Sequence, residues 1–104
     1  MYVRIGSARV FNPLPGIREC ARKPLEEAGE VQEAWGRWEE SEARRDEEPY
    51  TDEYRDALLG EIADCIQACA NLAACVGVTD LTPYMAGCEE RNRERGRYAV
   101  DTNV

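Results

Sequence analysis

Between Ala57 and Thr79 every position is apolar or uncharged except two, Glu61 and Asp64. Leu58, Ile62, Ile66, Cys69, Ala73 and Val76 recur there at three- and four-residue steps, which predicts one long helix with a continuous apolar stripe. Thr51 is its expected N-cap, and Gly77 its C-terminal stop. Upstream, Leu25, Ala28, Val31, Trp35 and Trp38 repeat the same period among strong helix formers. A second long helix is therefore expected from Pro24 to about Arg45, with those five residues on its buried face. A short helical piece, about Ile17 to Arg22, precedes it, and Pro24 must either kink the junction or start a new helix. A last helix is announced by Thr82 as N-cap and Pro83 at N1, and stops near Gly96.

The remaining segments carry no helical period. Residues 2–5 and 8–11 alternate weakly around Gly6-Ser7, as in a hairpin, and Asn12-Pro-Leu-Pro-Gly16 ends any regular element. The acidic stretch 39–56 reads as a frayed helix end followed by a solvated loop, and 98–104 as an irregular tail. The expected fold is all-α, in one domain over 1–104, with an irregular or hairpin N-terminal extension (1–15) and a helical core (17–96).

Composition narrows the partners. A net charge of −8 disfavours nucleic acid and anionic membrane surfaces, so a polyanionic substrate would need metal ions or a local basic cluster. The five cysteines show no C-x-x-C spacing and sit mostly among Ala and Ile, so they read as small buried hydrophobes in a reducing cytoplasm. With no histidine, imidazole catalysis is excluded and a structural zinc site is not expected. The N-terminus has no apolar run of signal-peptide length, and Glu61 and Asp64 interrupt the one stretch resembling a membrane span. A chain of 104 residues cannot cover two apolar stripes with its own layers, so an oligomer is expected.

Two pairs of acidic residues carry the candidate chemistry. Glu27 and Glu30 lie 60° apart on one helix, with Lys23 and Ala34 on the same face; Glu61 and Asp64 lie likewise on the other, followed by Ala68, Asn71 and Cys75. Packing these faces together gathers four carboxylates beside small side chains. Four ionised carboxylates repel strongly unless a cation joins them. Their oxygens select a hard ion such as Mg²⁺, which coordinates phosphates. Taken alone, Glu27 and Glu30 are also compatible with surface charge on a solvated helix. Arg91, Asn92 and Arg95 share one arc of the last helix, from which they either reach the acidic interior or only complement the helix dipole.

The runs Lys23-Pro-Leu-Glu-Glu-Ala-Gly-Glu-Val-Gln-Glu-Ala34 and Glu61-Ile-Ala-Asp-Cys-Ile-Gln-Ala-Cys-Ala-Asn-Leu-Ala73 resemble the E-E-x-x-E and E-x-x-D halves of the MazG-like, all-α nucleoside triphosphate pyrophosphohydrolases. The resemblance covers about residues 23–98. It implies a helical bundle completed by oligomerisation, as a homodimer or homotetramer. It also implies that Glu27, Glu30, Glu61 and Asp64 bind Mg²⁺, with Mn²⁺ as a substitute. The implied reaction cleaves a nucleoside triphosphate (NTP or dNTP) to its monophosphate and pyrophosphate. Within that scheme Glu30 is the candidate general base, and Lys23, Asn71, Asn92 and Arg95 are the candidate substrate contacts. Two alternatives stand beside it: a noncatalytic acidic helical interaction module using Trp35, Trp38 and Tyr54, and a nucleotide or metal sensor without turnover.

Overall fold

A computed structural model describes residues 1–46 and 52–99. It is all-α, with α1 at Ile17–Ala43, α2 at Glu53–Cys75 and α3 at Thr82–Glu94. Thr51, expected to cap α2, and the end of the tail lie outside the described residues.

One helix continues through Pro24, so no second helix begins there. Among the described residues there is no strand, and the expected hairpin is absent. The N-terminal segment instead lies extended along α2. The Gln67 side-chain amide donates to the Arg9 carbonyl (2.8 Å), and the Phe11 N–H donates to Asn71 Oδ1 (3.2 Å). Two of the backbone groups that a hairpin would have paired are thus bonded to side chains of α2.

The helix ends follow local chemistry. Gly77 (φ 85°) and Gly96 (φ 71°) take the left-handed conformation that glycine adopts without a Cβ clash. Val78 N–H reaches the Ala73 carbonyl (2.9 Å) and Arg97 N–H the Asn92 carbonyl (2.9 Å), closing both helices with Schellman turns. At the start of α3 the expectation is corrected: Leu81 is the N-cap and Thr82 the first helical residue. Its N–H is taken by Asp80 Oδ1 (2.9 Å), and the hydrogen bonds from Thr82 hold the Asp80 carboxyl below its usual range.

α1 and α2 pack antiparallel, Cys20 beside Cys75 at one end and Cys65 beside Pro24 further along. The face each helix buries is not its apolar stripe. Cys20 and Ala34 are the buried residues of α1, and Ala68 and Asn71 those of α2. Leu25 is 81% exposed, Trp35 43% and Val76 60%. Small side chains along the seam allow close approach of the helices, while Leu25, Trp35 and Val76 are turned out and Val31, Trp38, Leu58 and Ile66 stay half-buried. The cysteines are likewise less buried than expected: Cys20 alone is buried, and Cys69 is exposed.

α3 makes no packing contact with α1 or α2. The Tyr2 hydroxyl, donating to a Glu89 carboxylate oxygen (2.9 Å), ties the N-terminal segment to it. The chain is accordingly flat, 50 × 46 × 21 Å, with a radius of gyration of 17.3 Å, against about 13 Å for a compact domain of this length. Its accessible surface is 8793 Å², where a compact folded monomer of this mass exposes about 5,900 Å².

Candidate metal centre

The antiparallel register sets the two acidic pairs opposite each other. One carboxylate oxygen from each of Glu27, Glu61 and Asp64 lies within 4.8 Å of the others. Glu27 and Glu61 are half-buried and Asp64 is exposed. Oε2 of Glu27 and Oε2 of Glu61 are both shielded from solvent and have no hydrogen-bond partner. Such orphaned anionic oxygens are costly unless a proton or a cation meets them.

The protonation equilibria reflect that cost. Removal from water, then the neighbouring Glu30 carboxylate, raises the Glu27 carboxyl above its ordinary value, against the opposing pull of Lys23. Glu61 is raised by burial and then by hydrogen bonding with Glu30, with Arg37 opposing. Glu30 thus acts on Glu27 and Glu61 alike, raising both. Three of the four predicted ligands therefore meet in a close group, and Glu30 stands beside Glu27 and Glu61 but outside it.

Glu27 and Asp64 open onto a cleft of about 290 Å³ that Lys23 and Asn71 also line. Lys23 Nζ is held 3.3 Å from Glu26 Oε2, which lifts its ammonium pKa. Asn71 is buried, and its Oδ1 accepts from both the Phe11 N–H and Gln67 Nε2 (3.1 Å), so it anchors the N-terminal segment. Asn92 and Arg95 are not part of the cleft. Asn92 belongs to α3 and Arg95 is its C-cap residue, and the Asn92 side chain is engaged with Cys88 and Arg97.

Of the cleft residues, Phe11, Pro15, Cys20 and Gln67 were not anticipated from sequence. Gln67 could have been, since it follows Asp64 by three positions and precedes Asn71 by four, on the same helical face. Phe11 had no local signal: its place depends on the path of the N-terminal segment. Asn71→Ala should destabilise the protein by about 1 to 3 kcal/mol, because it leaves the Phe11 N–H without its acceptor. A lower urea midpoint at unchanged slope checks this, and an unchanged midpoint would contradict it.

No protein-family model, curated protein or solved structure matches the chain.

Proposed function

We propose that the chain is a Mg²⁺-dependent nucleoside triphosphate pyrophosphohydrolase, releasing nucleoside monophosphate and pyrophosphate. The observation that carries this reading is the pair of shielded, unpartnered oxygens of Glu27 and Glu61 facing Asp64. The donors are all carboxylate oxygens, which suits Mg²⁺ or Mn²⁺ and not a soft ion. Glu27, Glu30, Glu61 and Asp64 would hold the ion. Once bound it would neutralise triphosphate charge and make water more acidic.

The chain's own residues supply the rest. Glu30, a neighbour of both Glu27 and Glu61, accepts the proton of the attacking water. Lys23 exchanges its contact with Glu26 for a phosphate oxygen, and Asn71 keeps the cleft wall in place. Asn92 and Arg95 can serve a site only where α3 lies against a second copy. The open shape and outward apolar side chains support a homodimer or homotetramer built that way, in the cytoplasm, with neither nucleic acid nor membrane as partner. α2 is long and apolar enough to span a bilayer by composition, but Glu61 within it faces α1.

Pyrophosphate release across a panel of canonical and modified nucleoside triphosphates with Mg²⁺ tests the activity. Nucleotide binding without release would identify a sensor, and neither would favour the interaction module. Sedimentation at micromolar concentration should give two or four chain masses; a single chain mass would refute the oligomer.

A further inference from the structure

We infer that Cys20 and Cys75 form an oxidisable dithiol, a covalent modification site at which a peroxide closes an intrachain disulfide between α1 and α2. Cys20 lies in the first turn of α1 and Cys75 in the last turn of α2, yet their Sγ atoms are 3.0 Å apart. Both thiols also approach the same acceptor, the Pro15 carbonyl, at 3.5 and 3.8 Å. The two side chains therefore already converge before any bond forms. Of the other cysteines, Cys65 and Cys69 are successive-turn neighbours on a single helix, and Cys88 is on α3.

The two sulfurs differ in a way that orders the reaction. Cys20 is only 2% exposed, whereas Cys75 is half-buried. Hydrogen bonding to Cys75, then burial, pushes the Cys20 thiol up to about 11, so little of it is thiolate near neutrality. Cys75 is thus the sulfur that meets the oxidant. Its thiolate attacks one peroxide oxygen, the O–O bond breaks, and the departing hydroxide takes a proton to become water, leaving a sulfenic acid on Cys75. The Cys20 sulfur then attacks the Cys75 sulfur, the S–O bond breaks, and the hydroxyl leaves as water with the Cys20 proton. Two thiols lose two electrons in total, and one peroxide is reduced to two waters.

The consequence lies beside the acidic centre but does not depend on its chemistry. Cys20 and Pro15 form one end of the cleft that Glu27 and Asp64 share. A disulfide there joins residues 55 positions apart, restricts the unfolded chain and fixes that end of the helix pair.

The test treats the full-length chain with hydrogen peroxide at a small molar excess, alkylates it in denaturant and maps peptides by mass. The expected product is a chain about 2 Da lighter before alkylation, with Cys20 and Cys75 in one linked peptide and the other three cysteines alkylated afterwards. Its melting temperature should rise by at least about 5 °C and fall back on reduction by dithiothreitol. Cys75→Ser should lose both the link and the shift; Cys69→Ser should keep them. Overturning results are a link between other cysteines, a dimer joined between chains, or stepwise oxygen addition at Cys75 with Cys20 still alkylated. The peptide map of the parent decides the matter even where a variant folds poorly.

Discussion

Asp64→Asn and Glu30→Gln should each lower pyrophosphate release by at least about 100-fold, equivalent to about 2.7 kcal/mol of lost transition-state stabilisation. Each keeps the side chain's size while removing one anionic oxygen donor from the centre. Neither should unfold the protein. The centre holds like charges within 4.8 Å of one another, so neutralising one relieves repulsion in the metal-free state, and the melting temperature should equal or exceed the parent's. Glu39→Gln is the control, because Glu39 is exposed on α1 and outside the group. Glu42 would be a poorer control: it was expected in a solvated stretch, but its Oε1 is shielded and Oε2 lies 3.8 Å from Arg45. Equal release by the parent and Asp64→Asn would end the four-carboxylate mechanism.

Mg²⁺ should raise the melting temperature at pH 7.5 and do much less near pH 4. Glu27 and Glu61 both have folded-state pKa values above the ordinary 4.5. Between 4.5 and those raised values the folded chain binds more protons than the unfolded one, so the stability of the metal-free protein falls as pH rises through that window. Above it, the cost of two ionised, shielded carboxylates is fully present; below 4.5 protons remove it. A cation relieves the same cost, and only where the carboxylates are ionised. At about 100 times its Kd, Mg²⁺ adds about 2.7 kcal/mol, a shift of about 10 °C or more for a domain of this size. Superimposable melting curves with and without Mg²⁺ at pH 7.5 would remove the metal centre from the reading.

The helix stops at Gly77 and Gly96, the all-α class and the spacing of the carboxylates were legible in the sequence, because each is settled by a few neighbouring residues. Gly77 and Gly96 stop their helices through a backbone conformation that depends on nothing distant, and Glu61 and Asp64 must share a face wherever the helix goes. Which face turns inward was not local. Leu25 and Trp35 had the right period for a core and lie outside, while Cys20 and Ala34 are buried along the seam with Ala68 and Asn71. Periodicity identifies a stripe but not its partner. That choice belongs to the two surfaces together, through the close approach that small side chains permit and bulky ones prevent. The place of Phe11 and the meeting of Cys20 with Cys75 join residues 60 and 55 positions apart. The path of the N-terminal segment decided the first and the antiparallel register of α1 on α2 the second, because no sequence window spans both partners.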